Sequence, residues 1–257
     1  MRTGKTGLSR RSWLLLAGAV VLIMLVVQLL YSRRQSSFQI LVPVEGVVDI
    51  TGVDLSQGVV NVQNNWDFYP GALYTAEDFA QGGRDLPRPA AEEDEPRCGT
   101  YRLIIKAPPE RYYALCAYSI DYSTRVFVNG VEAARYGVVA ERADESVPRI
   151  GYMTIPLWSG EDGEIEIICQ YANFVHRDGG FIQPTYLSTP QNIEAFKAGE
   201  DLVSLSLSGG LLVLFLYFLL CAAVQRRRDL LLLALCCLMM ALRDQNFLAF
   251  HLLPPEA

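Results

Sequence analysis

Leu202–Val224 is a run of 23 residues without a charge, and it limits the fold more than any other stretch of the chain. At 1.5 Å rise per residue it makes about 35 Å of helix, enough to cross the hydrocarbon core of a bilayer. Arg226, Arg227 and Arg228 follow at once, and a short arginine-rich flank marks the cytoplasmic side of a span. The residues before Leu202 are therefore expected outside.

The start of the chain gives the same orientation independently. Arg2, Lys5, Arg10 and Arg11 precede Trp13–Tyr31, which carries no charge over 19 residues. A cleaved signal peptide usually has an apolar core of about 7–15 residues and a small-x-small cleavage site. This run is longer and continues into Tyr31-Ser32-Arg33-Arg34, so an uncleaved anchor is expected. The organisation that follows is a basic cytoplasmic start (1–12), a helix (13–31), an extracytoplasmic segment (32–200), a span (202–224), a basic loop (225–229) and a further apolar helix (230–253). Within the last of these, Arg243 and Asp244 interrupt the apolar pattern. Ionisable groups at membrane depth are costly unless they meet a partner or water, so this pair reads either as an ion pair snorkelling to the outer interface or as a candidate for helix–helix coupling.

The chain has a formal net charge of −6, but residues 32–200 hold 14 Lys and Arg against 24 Asp and Glu. An outer segment near −10 excludes nucleic acid and anionic headgroups as its ligand class. Its 169 residues suit one folded domain. Short β-like runs recur at Val59–Val62, Tyr101–Lys106, Tyr113–Tyr118, Arg125–Gly130, Tyr152–Leu157 and Glu164–Tyr171. The last opens with strict charged–apolar alternation, the mark of a half-buried strand. Asn129-Gly130 reads as a hairpin turn and Ser159–Gly163 as a loop. Many strands with regular turns and no long amphipathic helix predict a β-sandwich.

Gly82–Arg97, with its prolines and the acids Glu92-Glu93-Asp94-Glu95, reads as a solvated surface loop. Four adjacent carboxylates cannot converge on one cation, so no metal is assigned. Cys98, Cys116 and Cys169 fall in the outer segment; they allow at most one disulfide, and the latter two sit in β runs where a buried thiol is the ordinary reading. The two histidines, His176 and His251, and the lack of nucleophile-elbow, zinc-protease, phosphate-loop or kinase motifs give no catalytic constellation. No enzyme activity and no cofactor are expected.

Two clusters combine aromatic rings with polar groups: Asn64–Gly71, containing Trp66, Phe68 and Tyr69, and Asn173–Phe181, containing His176 and Arg177. Aromatic faces beside directional hydrogen-bonding groups are what a sugar or other small polar ligand needs. The alternation that places Trp66 and Phe68 on one face is equally that of a core strand.

Trp66-Asp67-Phe68-Tyr69-Pro70-Gly71, Gly99-Thr100-Tyr101-Arg102-Leu103, Val128-Asn129-Gly130 with Gly137, and Asn173-Phe174 through His176-Arg177 to Gly179-Gly180 occur in that order. Together they resemble the extracellular sensing domain of bacterial seven-transmembrane receptors with diverse intracellular signalling modules. The resemblance runs from about Phe38 to Pro190 and includes the downstream helices. It implies a galactose-binding-like jelly roll, similar to the sugar-binding domains of glycoside hydrolases, followed by seven helices and a cytoplasmic output. The sequence stops after the second of those helices, so it reads either as an interrupted receptor or as a short relative that pairs with another chain. The expectation is thus an all-β jelly-roll sandwich ectodomain flanked by transmembrane α-helices, a multi-pass sensor at the cell membrane. Its expected partners are the bilayer, a small polar ligand or glycan, and a second copy or a signalling chain. Trp66, Tyr69, Asn173, His176 and Arg177 are the ligand-binding candidates, with Arg243 and Asp244 for coupling. The alternative is a non-signalling accessory or carbohydrate-binding membrane protein.

Overall fold

The computed structural model describes residues 39–56, 58–63, 65–83, 85–87, 97–119, 122–149, 151–175 and 184–243. The expected helix at 13–31 lies outside these residues, as do His176, Arg177 and Asp244. The chain divides into two units, Met1–Ile40 and Leu41–Ala257. The described part of the first is the short strand β1 (Gln39–Ile40).

The second unit holds two sheets. One contains β2 (Val47–Asp49), β4 (Asp67–Pro70), β5 (Cys98–Lys106), β7 (Ser123–Val128), β8 (Val131–Tyr136) and β10 (Glu164–Ala172), in the order β2-β5-β10-β7-β8 with β4 also on β5. The other runs β3 (Val60–Asn61), β11 (Thr185–Ser188), β6 (Tyr112–Ser119), β9 (Gly151–Trp158). Alternation sorts the side chains. Ile165, Ile167 and Cys169 of β10, with Leu103 and Ile105 of β5, face Tyr113, Leu115 and Ala117 of β6 and Met153, Ile155 and Leu157 of β9 in one buried core. Two sheets closed over a shared apolar layer make a β-sandwich. Pro156, which cannot donate to a ladder, sits in β9 at the border of its sheet.

From Ile168 onward β10 is buried on both faces. The cover on its outer face is a helix the sequence reading lacked, α1 (Ala76–Gly82). Its N-terminus is a capping box, with the Thr75 amide donating to Asp78 Oδ2 at 2.7 Å and the Asp78 amide to Thr75 Oγ1 at 3.4 Å. Phe79 drops from α1 into a cluster with Tyr69, Phe127 and Ile168. Gln170 fixes the approach to α1 by donating from Nε2 to the carbonyls of Leu73 (3.1 Å) and Tyr74 (2.9 Å). The Thr100 hydroxyl adds a bond to the Ala72 carbonyl at 2.6 Å.

The apolar segment at 202–224 is the later part of one 36-residue helix, α2 (Pro190–Gln225). Thr189 caps it and Pro190 opens it, the position where a missing amide hydrogen costs nothing. Ile193 is fully buried, Phe196 packs on Tyr186 of β11 with ring centroids 4.6 Å apart, and Asn192 Nδ2 donates to the Leu55 carbonyl at 2.5 Å. The first turns of α2 therefore lie on the outer face of β11 and β6. After Arg226, in a left-handed conformation, α3 (Arg228–Arg243) turns back along α2. By length and composition α2 is the one helix among the described residues able to cross a membrane. The 16 described residues of α3 fall short of a span, so the multi-pass expectation gains no support.

Candidate functional site

Strand register gives the sandwich two distinguishable ends. The connections Ala107–Arg111, Asn129-Gly130 and Ser159–Gly163 gather at one, here the far end, because each joins strands whose paired termini are Lys106, Tyr112, Val128, Trp158 and Glu164. Strand β11 runs toward this end, from Thr185 opposite Ala117 to Ser188 opposite Ala114. Helix α2 starts there and reaches Tyr186 again by Phe196, so it runs back against the strand. The uncharged stretch of α2 leaves at the opposite, near end.

The far-end loops are tied to each other by main-chain bonds. Ser159 Oγ donates to the Pro108 carbonyl at 2.8 Å and accepts from the Arg111 amide at 3.0 Å. The Glu110 amide bonds Gly160 and the Ala107 amide bonds Gly163. Gly163 has φ of +73°, and a Cβ there would stand 2.5 Å from the Ala107 carbonyl oxygen, so only glycine allows this approach. Asn129 and Gly130 both have positive φ, as a tight hairpin turn requires. The Asn129 side chain accepts from the Glu166 amide at 2.8 Å and donates to the Trp158 carbonyl at 3.3 Å, linking the two sheets.

Two aromatic rings stand open on this frame. Tyr112 and Trp158 are cross-strand partners at the ends of β6 and β9, with centroids 4.4 Å apart and planes tilted by 43°. Tyr112 is 68% exposed and Trp158 40%. On the other side of Asn129, between α1 and the far-end loops, a groove of about 430 Å³ is lined by Arg102, Ile104, Asn129, Asp162, Glu164 and Glu166. Arg102 is already engaged: its Nε donates to Glu166 Oε1 at 2.7 Å, and its guanidinium lies 4.9 Å from the Phe79 ring centre. Lys106 stands opposite Glu164 on one side and Asp49 on the other. Carboxylates thus outnumber cations at the groove.

Further across the same sheet, Arg135 and Arg125 both donate to Glu132, and these bonds hold its carboxyl down to about 2. Burial pushes the Cys116 and Cys169 thiols up, to about 12 for Cys169, so neither is poised as a nucleophile. Cys98, Cys116 and Cys169 are free and buried. Among the described residues no group of three or more His, Cys, Asp or Glu is arranged to hold a metal ion.

The candidates named from sequence fall elsewhere. Trp66 is part of the core, its Nε1 donating to the Val62 carbonyl at 2.5 Å. Tyr69 points to the outer face but lies under α1, fully buried and edge-on to Phe79 and Tyr74. Asn173 is also fully buried, at the near end, where its amide bonds the Arg97 carbonyl at 2.7 Å. No open surface brings these three together, and covered rings cannot stack on a ligand. His176, Arg177 and Asp244 lie outside the described residues, and Arg243 closes α3. The sequence reading did not name Tyr112, Trp158 or Asn129 as ligand candidates. The available signal was parity: Tyr112 and Trp158 alternate with the inward-facing Tyr113 and Leu157.

No protein-family model matches the sequence, so the resemblance to seven-transmembrane receptors is unsupported from that side. No curated protein matches it either. Among solved structures the chain is similar to a family 35 carbohydrate-binding module from Clostridium thermocellum, with 16% identity, a TM-score of 0.22, and 47% of this chain and 94% of that chain covered. It is also similar to a GH31 alpha-xylosidase from Xanthomonas citri, with 11% identity, a TM-score of 0.20, and 52% of this chain and 16% of that chain covered. Likeness at this level adds nothing to what the geometry shows.

Proposed function

We propose that this chain is a membrane-tethered binding module, a jelly-roll sandwich that takes a glycan or similar polyhydroxylated ligand at its far end without transforming it. The observation that carries the reading is the exposed Tyr112–Trp158 pair at the end opposite the exit of α2. Large rings left open to water lose the stabilisation that burial would bring, and at a ligand site they recover it by stacking on the apolar face of a sugar ring. Tyr and Trp also gather in belts at membrane interfaces, but this pair stands at the end away from the uncharged helix. Asn129 donates to the Trp158 carbonyl and, with Asp162, lines the groove on the other sheet, so polar groups flank the same end of the sandwich. The net charge near −10 of residues 32–200 favours neutral or amine-bearing sugars over acidic ones.

The test uses the full chain in lipid nanodiscs against a panel of neutral, amino and acidic oligosaccharides. Trp158→Ala and Tyr112→Ala are expected to weaken binding of the preferred glycan by tenfold or more. Tyr112 is the more open ring, so Tyr112→Ala should move the unfolding midpoint by only a few degrees, and circular dichroism at the binding temperature checks that each variant is folded. A double variant that bound every panel member as well as the parent would sink the assignment. The accessory reading needs only the packing of Ile193 and Phe196 that joins the sandwich to α2, whereas a sensor would need two arrangements of that contact.

A further inference from the structure

Resting on that reading, the direction of α2 decides where the ligand comes from. Pro190 lies near the level of Ser188 and Ala114, and the uncharged run starts at Leu202, 12 residues along the helix. At 1.5 Å per residue this is about 18 Å toward the near end, and the two strand residues from Ala114 to Tyr112 add about 7 Å in the other direction. The packing of Ile193 and Phe196 holds this first segment of α2 along the sheet. The Tyr112–Trp158 pair therefore stands about 25 Å above the level where the apolar helix enters the bilayer.

We infer that the site works in trans: it takes glycans presented from beyond the membrane plane, as soluble chains or on a facing surface, and not short headgroups of its own leaflet. A headgroup of one or two sugars is far shorter than that height and cannot reach the pair, whatever its affinity in solution. The geometry that excludes it is the antiparallel docking of the first turns of α2 on β11 and β6. A site on the Asn173 side of the sandwich would face the bilayer and have the opposite preference.

Two measurements test this. In the first, a donor dye on Glu161→Cys and, separately, on Glu200→Cys is paired with headgroup-labelled phosphatidylcholine in nanodiscs. Transfer from position 200 should be strong and transfer from position 161 several-fold weaker; equal transfer from both overturns the inference without touching the glycan reading. In the second, the best panel glycan is attached to a lipid through a short or a roughly 40 Å polyethylene glycol linker and placed in the same nanodisc. Only the long-linker conjugate should compete with the soluble glycan. Competition by the short-linker form would overturn the inference, and a panel in which nothing binds would overturn the binding reading and this inference with it.

Discussion

Replacing Ile193 by alanine removes the apolar anchor in the first turns of α2, a side chain with no exposed surface that lies between the helix and the outer face of its sheet. Truncating a buried isoleucine loses the transfer energy of the removed methyl and methylene groups and leaves a cavity, together 2–5 kcal/mol in well-packed cores. Ile193 borders a single helix and one sheet face, and that boundary can partly collapse, so about 3 kcal/mol is expected. For a domain of this size each kcal/mol moves the midpoint by 2–4 °C, which gives a fall of about 6–12 °C. Near-ultraviolet circular dichroism of the chain in nanodiscs reads the midpoint, and hydrogen exchange over residues 190–201 reads local opening.

The control is Glu194→Ala, one residue along the same turn. Its carboxylate is 66% exposed and meets Lys197 at 3.4 Å, a pair worth no more than about 0.5 kcal/mol. If docking of α2 is a packing effect, Ile193→Ala lowers the midpoint and loosens exchange across the whole segment, whereas Glu194→Ala does neither. An Ile193→Ala chain within about 1 °C of the parent would refute the argument, because the helix would then be held by its membrane segment alone and the far-end site would have no fixed height.

Three further outcomes are expected. Gly99→Ala places a Cβ 2.8 Å from the Phe68 ring and 2.9 Å from the Tyr69 carbonyl oxygen, an overpacking that should cost about 1–3 kcal/mol in chemical denaturation. Gln170→Ala removes two bonds to the chain before α1 and should open Ala72–Leu86 to limited proteolysis with a loss of about 1–2 kcal/mol. Glu132 titrates at about 2 in the folded chain against an ordinary 4.5; its contribution is complete above 4.5 and disappears as pH falls from there through 2. For a half-open pair this is about 1 kcal/mol, so Glu132→Gln should be less stable than the parent at pH 7 and equal to it near pH 2.

Five of the strands were legible because each presents apolar residues at every second position over six or more residues, or carries a hairpin dipeptide at its end, as Val128-Asn129-Gly130 does, and β3 because its two residues lie in the apolar run Val59–Val62. The other short strands were not. Asp67–Pro70 ends in proline, Val131–Tyr136 is a largely exposed border strand, and Val47–Asp49 is held by pairing with Ile104–Lys106 more than by its own pattern. Helix α1 spans seven residues, too few for a periodic signal, although the Thr75-x-x-Asp78 spacing of its capping box was in plain view. The head of α2 was hidden because Glu194, Lys197, Glu200 and Asp201 break the apolar pattern, so residues up to 200 were assigned to the outer segment; Thr189-Pro190, a cap followed by proline at the first helical position, was the signal for a helix start.

Trp66 and Tyr69, both buried, drew the binding reading for a different reason. Density of aromatic residues along a sequence marks a core at least as often as a ligand face, because the area that makes a ring useful for stacking also makes it the best group to bury. Parity along the strand separates the two uses only in part: Trp66 and Phe68 point inward, while Tyr69 and Tyr112 both point outward. What distinguishes the last two is what arrives on top of them. Phe79 of α1 seals Tyr69, and α1 is held in place by Thr100 and Gln170, far away in sequence. The head of α2 covers the strip over Cys116 and Tyr186 and then leaves at the near end. Tyr112 and Trp158 stay open because the one described helix long and apolar enough to cross a membrane starts at their end of the sandwich and runs the other way, so the exposure of the pair follows from that packing contact.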